Sequence, residues 1–322
     1  MADVRLPDAL QAAIDAEIEG SSVAPAANLS AAYRARQSSQ TAIADEAAVA
    51  AYLTTRLPAT FAAATSVLAE TADRLPGFSP ASLLDAGAGP GTASWAALAA
   101  FASLDALTLL DRNRKLLDAG TRLRQGAAPA LAEAEVILGE LPAAAIGDRR
   151  FDLVMASYAL TELGDGAAIA AARSLWQRCG GALVIVEPGR PSDYQRLMAV
   201  RRALIEAGGS IVAPCPQEGE CPLPAGDWCH FSVRLPRRRV HRQAKGASLG
   251  YEDEKFSYLV VARPGLGRRP IEARLIKPPV QSKFEIVLPL CGPLGLEGRR
   301  VGKRQGEAFK SARKLEWGDA VE

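Results

Sequence analysis

Three cysteines, Cys215, Cys221 and Cys229, fall within fifteen residues of a Pro- and Gly-rich segment, VAPCPQEGECPLPAGDWCHF. The chain has two others, Cys179 and Cys291. Thiols gathered on an irregular loop are better explained by something they hold than by packing, since a loop gains little from burying small apolar side chains. The spacing Cys215-x5-Cys221-x7-Cys229 matches neither the tight cysteine pairs of zinc fingers nor the C-x2-C-x2-C run of bacterial ferredoxins. Spacing alone leaves zinc ligation, iron–sulfur ligation and free thiols open. A fourth ligand would be Cys291 or the adjacent His230.

A second chemistry lies upstream. The strand-like SLLDAG runs into AGPGTAS, giving Asp85-x-Gly87-x-Gly89-x-Gly91-Thr92 ahead of a helical stretch. Such glycines let the chain turn sharply and let a ligand approach the backbone, with a helix N-terminus behind it. The pattern is D-x-G-x-G-x-G, not the G-x-G-x-x-G of dinucleotide sites. The next strand ends in Asp111, placed for a carboxylate to accept from both ribose hydroxyls, and Glu140 follows the third strand at an adenine-contacting position. S-adenosylmethionine (SAM) is the cofactor this arrangement predicts. No catalytic group is compelled. After the fourth strand, where amino-methylating enzymes carry an Asn/Asp-Pro-Pro-aromatic motif, the chain reads Ala156-Ser157-Tyr158-Ala159-Leu160. The Pro-Cys of cytosine-C5 enzymes is also missing there. Glu162 and Glu187 could accept a proton or equally cap an element, and Cys179, before Gly180-Gly181, reads as a packed residue.

The elements that must position these residues form a simple order. Residues 1–80 read as helices, with Pro58 marking a break or kink. Short apolar strands are expected at 82–87, 107–111, 134–139, 151–157 and 182–188, separated by helical stretches. That alternation implies a parallel α/β sheet covered on both faces. The run 256–263 is expected to complete the sheet after a cysteine-bearing insertion. The division this gives is a helical region 1–80, a methyltransferase-like domain 81–265 with the insertion 211–245, and a basic, β-rich C-terminal extension 266–322. No internal repeat is visible.

Composition bounds the function. No apolar run reaches the roughly 18 residues of a membrane helix. The acidic, amphipathic MADVRLPDALQAAIDAEIEG has neither the form of a secretory signal nor that of a transit peptide, so a reducing bacterial cytoplasm is the expected location. Net charge is +2, yet residues 231–322 hold 20 Lys+Arg against 10 Asp+Glu, while residues 1–230 hold 18 against 26. A basic C-terminal third on an acidic body suggests a polyanionic partner. Candidate phosphate contacts are Arg237, Arg238, Arg239, Arg242 and Lys245, then Arg299, Arg300, Lys303 and Arg304. A solvated linker is the alternative for the first group.

The runs PCPQEGECPL…DWCHFSVRLPR, KGASLGYEDEKFSYLVVAR and PLCG, on a class I SAM-methyltransferase-type domain with helices before it, resemble the methyltransferase-like mitochondrial small-ribosomal-subunit assembly factors and their bacterial relatives. The resemblance covers about residues 30–305, the cysteine segment most specifically. It implies a 4Fe-4S cluster on Cys215, Cys221, Cys229 and Cys291, stapling the loop to the C-terminal module, and binding to the small subunit and its rRNA. Cys179 and membranes have no place in it, and a monomer is expected. Two alternatives stay open: an active rRNA methyltransferase, and a zinc-stapled interaction module on an inactive methyltransferase fold.

Overall fold

The computed structural model describes residues 4–20, 29, 31 and 38–322. The part of the helical reading that falls on 1–3, 21–28, 30 and 32–37 lies outside the described residues. Five strands, β1 (Ser82–Ala86), β2 (Ala106–Asp111), β3 (Glu135–Leu138), β4 (Phe151–Ser157) and β5 (Cys179–Pro188), pair in parallel in the spatial order β3-β2-β1-β4-β5. Each lies within three residues of its expected bounds. Successive side chains along them point to opposite faces, as a two-residue period requires. Leu83, Met155, Val184 and Val186 pack against one layer of helices, and Leu84, Val154, Leu183 and Ile185 against the other. The first layer contains Leu57–Arg74, Thr92–Ala100 and Arg114–Leu123; the second contains Asp165–Arg178 and Pro191–Glu206. Both faces are dry, which is why these strands read as continuous apolar runs.

Beyond β5 the sheet changes sense. β8 (Tyr251–Ala262) runs antiparallel along β5, and β6 (Ser210–Ala213) and β7 (Phe231–Pro236) each pair antiparallel with β8. The expected 256–263 strand is therefore present, and it starts five residues earlier. β6 and β7 share the other edge of β8, one on Val260–Ala262 and one on Tyr251–Phe256. The segment carrying Cys215, Cys221 and Cys229 leaves the sheet between these two pairings. It is thus held at both ends by one strand.

At Pro58 the helical run is not broken. Glu46–Ala51 leads through a π-helical turn, Tyr52–Arg56, into Leu57–Arg74, with Pro58 in the first turn of that helix. Proline has no N–H to donate, and the wider turn before it accommodates the loss. Residues 273–321 form a second sheet from β9 (Ala273–Leu275), β10 (Val280–Gln281), β11 (Glu285–Gly292), β12 (Gly295–Gly302) and β13 (Ala320–Val321). Ile286, Leu288 and Leu290 of β11 alternate inward under Phe309 and Ala312 of the helix Glu307–Ala312. Arg274 of β9 is fully buried and ties three parts together. It ion-pairs with Glu70 and donates to the carbonyls of Pro214 (3.1 Å) and Gly318 (2.8 Å). Among the described residues no helix is long and apolar enough to cross a membrane.

Candidate functional sites

A cavity of about 460 Å³ opens above the C-terminal ends of β1, β2 and β4. Gly87 follows β1 at φ +77°, and a Cβ there would stand 2.5 Å from that of Ala159. Only glycine fits this turn, so the backbone itself forms the cavity wall. Gly91, at φ +85°, starts the helix Thr92–Ala100. Asp111 lines the cavity and accepts from the N–H groups of Gly89 and Asn113, both at 2.7 Å. Burial pushes its carboxyl pKa up. Gly87, Gly89, Asp111 and the exposed Glu140 all face the cavity. Asp85 and Gly91 do not line it. Asp85 sits beneath the loop, accepting from the Ser94 N–H (3.0 Å) and hydroxyl (2.7 Å), and burial raises its pKa to about 6. Its place is to brace the turn that the ligand would meet.

The facing wall joins three segments distant in sequence: Tyr52, Arg56 and Thr60; Ser157–Leu163; and Asp253–Lys255. Tyr158 occupies a left-handed backbone position, φ +57°, rare for a bulky residue. Its hydroxyl donates to Glu254 (2.9 Å), whose carboxylate also meets Arg56 at 3.3 Å, and the Arg56 guanidinium lies 5.6 Å from the Tyr158 ring centroid. The position of a methylation motif thus holds a tied-down tyrosine. Glu162 accepts from the Ser39 N–H (3.0 Å) and pairs with Arg112 (2.7 Å). Glu187 accepts from the Leu160 N–H (2.9 Å) and is buried below the wall. Both carboxylates shape the chain around the cavity, as caps do.

The four cysteines Cys215, Cys221, Cys229 and Cys291 line one small cavity of about 30 Å³. Three come from the segment between β6 and β7, and Cys291 from β11 of the second sheet. The loop is pinned where its own backbone needs partners: Arg201 donates to the carbonyls of Gly219 (2.9 Å) and Gln217 (2.7 Å), and Ser257 to that of Cys229 (2.9 Å). Trp228 Nε1 donates to Gly189 (3.0 Å), joining the loop to the end of β5. Tyr194 Oη lies 3.0 Å from Cys221 Sγ. Burial raises the thiol pKa values of Cys215, Cys229 and Cys291, the last to about 12, while Arg201 opposes it at Cys215 and Cys291. His230 is turned away, its ring stacked on Trp228 and edge-on to Trp317. Of the two candidates for a fourth member, Cys291 converges and His230 does not. Cys179 lies in the sheet core, its thiol raised to about 12 by burial. Among the described residues, no group of three or more His, Cys, Asp or Glu side chains is arranged to hold a metal ion.

The first basic stretch is partly spent within the fold. Arg237 (3.2 Å), Lys245 and the buried His241 (3.1 Å) all converge on Glu252, and Arg238 pairs with Asp15. These contacts drive the Glu252 carboxyl below its usual range despite burial. Arg239 and Arg242 are exposed on the short helix Arg239–Lys245. Arg299 pairs with Glu272 (2.7 Å) and Glu297, and Arg300 with Glu285 (2.7 Å), while Lys303 and Arg304 are exposed just beyond β12.

Residues 46–322, which include both sheets and the four converging cysteines, match the family described as "Mitochondrial small ribosomal subunit Rsm22". The chain belongs to the Rsm22 family. Its curated relatives include the human mitochondrial ribosome assembly protein METTL17, 27% identical and matched over 84% of this chain and 61% of that protein. Another is the mitochondrial Rsm22-cox11 tandem protein 2 of Schizosaccharomyces pombe, 24% identical over 74% of this chain and 38% of that one. The chain therefore spans less than two thirds of either relative. These mitochondrial proteins overturn the expected bacterial cytoplasmic location, which rested on the residue types of the N-terminal segment.

Solved structures similar to this Rsm22-family chain include magnesium protoporphyrin IX methyltransferase of Synechocystis with bound SAM, at 15% identity and TM-score 0.41, covering 64% of this chain and 80% of that one. Precorrin-6y C5,15-methyltransferase of Geobacter metallireducens is also 15% identical, at TM-score 0.38, covering 61% and 87%. The strand order itself, five parallel strands and an antiparallel β8 between β5 and β6, is that of the class I SAM-methyltransferase fold expected from the sequence.

Several site residues escape a reading of the sequence. Tyr52, Arg56, Tyr158 and Glu254 meet only through the fold, although the charged start of β8, YEDEK, signals that this strand leaves the core. Arg201, Arg274 and Tyr194 around the cysteine cavity give no local pattern at all.

Proposed function

We propose that this chain is a small-ribosomal-subunit assembly factor that binds rRNA, SAM and a 4Fe-4S cluster. The observation carrying the assembly reading is the single family match that runs unbroken through both sheets and the cysteine segment. The human relative, in name a ribosome assembly protein of mitochondria, supports that role and a mitochondrial setting for this chain.

For SAM, the residues fit. Gly87 and Gly89 offer backbone against which the ligand lies, Asp111 offers a carboxylate for ribose hydroxyls, and Glu140 flanks the base side. Bound there, SAM would supply an electrophilic methyl group. The wall facing that group offers Tyr158, held by Glu254, in place of an Asn/Asp-Pro-Pro motif. Binding without transfer is the reading this wall favours, and an rRNA methyltransferase is the alternative. For the cluster, four thiols from two segments line one cavity, the ordinary all-cysteine shell of a 4Fe-4S centre. That donor set would hold an electron-rich centre and fix the loop to β11. Zinc held by the same four thiols is the alternative, since an all-cysteine set also suits a structural zinc ion.

Three measurements test the proposal. The chain should co-sediment with small subunits and not with large ones. SAM should bind by calorimetry, and Asp111→Ala should weaken it at least ten-fold. Methyl label should not pass from SAM to rRNA; stoichiometric labelling would establish the methyltransferase alternative instead. Failure to associate with the small subunit would sink the assembly role.

A further inference from the structure

We infer that the end of the second sheet around Phe284 grips an unpaired RNA strand, one base stacked on the Phe284 ring and the flanking phosphates met by Lys283, Lys303 and Arg304. This rests on the RNA-binding reading above and narrows it to a place and a form of RNA.

Phe284 is 67% exposed at the turn between β10 and β11, whereas Ile286, two residues on, is fully buried. The ring's face is thus open to solvent at the tip of the hairpin, and what surrounds it decides what it can meet. The turn is stiff. Ser282 Oγ accepts from the N–H groups of Phe284 (3.3 Å) and Glu285 (2.9 Å), and the Ser282 N–H donates to the Glu285 carbonyl (2.8 Å). The ring is therefore presented by a fixed backbone. Lys283 Nζ stands 5.6 Å from the ring centroid.

The fold then collects charge around that ring. The Lys303 N–H donates to the Phe284 carbonyl at 2.8 Å, placing the end of β12 beside the turn. Gln281 Nε2 donates to the Arg313 carbonyl at 3.4 Å, placing the end of the helix Glu307–Ala312 there as well. Residues 280–315 hold eight Lys+Arg against three Glu. Those three glutamates are matched: Glu285 to Arg300, Glu297 to Arg299, Glu307 to Lys310. The surplus, Lys283, Lys303, Arg304, Arg313 and Lys314, is exposed. An aromatic plane ringed by cations suits a nucleic acid strand, since every base has a face to stack and every phosphate a charge to meet. Protein interfaces, by contrast, are depleted in lysine. Duplex RNA keeps its bases inside the helix, so the ring adds nothing there.

The test uses the full chain, a short unpaired RNA oligonucleotide and a hairpin duplex of equal length, with affinity read by fluorescence anisotropy at several salt concentrations. Phe284→Ala should weaken single-strand binding about ten-fold and leave duplex binding unchanged. Phe284→Trp should restore it. The double variant Lys303→Ala, Arg304→Ala should make the salt dependence of single-strand binding shallower, by about 0.7 for each phosphate that is no longer neutralised. An unchanged melting temperature for Phe284→Ala, expected for an exposed ring, shows that the weaker binding is not unfolding. If the chain binds RNA and Phe284→Ala binds as tightly as the parent, this inference falls and the broader RNA reading stands. If single strand and duplex lose affinity equally, it also falls. Binding of neither RNA overturns both readings.

Discussion

Glu187 makes the pH dependence of stability a sharp test of how the cavity floor is built. Its carboxyl is buried, accepts one hydrogen bond from the Leu160 N–H, and has a second oxygen without a partner. Burial is the main cause raising its pKa from 4.5 to about 8, with Asp193 adding to it and Arg196 and Arg190 opposing. Between those two values the folded chain keeps a proton that the unfolded chain has lost. Stability therefore falls as pH rises from about 4.5 to 8 and levels off above it. At about 1.4 kcal/mol per unit, the ceiling is roughly 5 kcal/mol, with about 3 kcal/mol expressed by pH 7. Glu187→Gln keeps the acceptor for Leu160 and carries no charge. Urea unfolding of parent and variant at pH 5.5 and pH 8 isolates the effect, because Asp85, raised to about 6 by burial, is present in both. The variant should gain on the parent by about 2 kcal/mol or more between the two pH values. Parallel stability profiles would refute the reasoning.

Other perturbations follow from single contacts. Gly87→Ala forces a left-handed backbone and a 2.5 Å clash with Ala159, so SAM affinity measured by calorimetry should be abolished and stability reduced by about 2 kcal/mol or more. Tyr158→Phe removes a hydrogen bond to the Glu254 carboxylate and should cost about 1–2 kcal/mol in urea unfolding. Arg274→Ala strips a buried guanidinium from Glu70 and from the carbonyls of Pro214 and Gly318. A drop of about 3–5 kcal/mol is expected, with faster proteolysis of residues 214–230.

The parallel half of the main sheet is legible because strands buried on both faces announce themselves as unbroken apolar runs such as ALVIVEP. β6 and β7 are not. Each is short, bounded by Pro and Gly, and defined only by sharing one edge of β8. The glycine loop predicts its own turn, and Asp111 its own place in the cavity. Asp85 reads as a ligand contact because a motif gives residue types without depth, and it is the Ser94 contacts that put it below the loop. The stretch Arg237–Lys245 resembles a phosphate-binding run for a related reason. Charge in sequence does not show that Glu252, fifteen residues after Arg237, takes up three of its members. Phe284 gives no signal, since one aromatic in a strand-like run reads as core until the register shows it outside.

The convergence of Cys215, Cys221, Cys229 and Cys291 on one cavity between the two sheets is the feature on which the proposed function depends most. Iron and acid-labile sulfide content of anaerobically purified protein tests it directly. About four of each per chain are expected, lost in Cys291→Ser and kept in Cys179→Ser. One zinc per chain, or iron retained without Cys291, would contradict it.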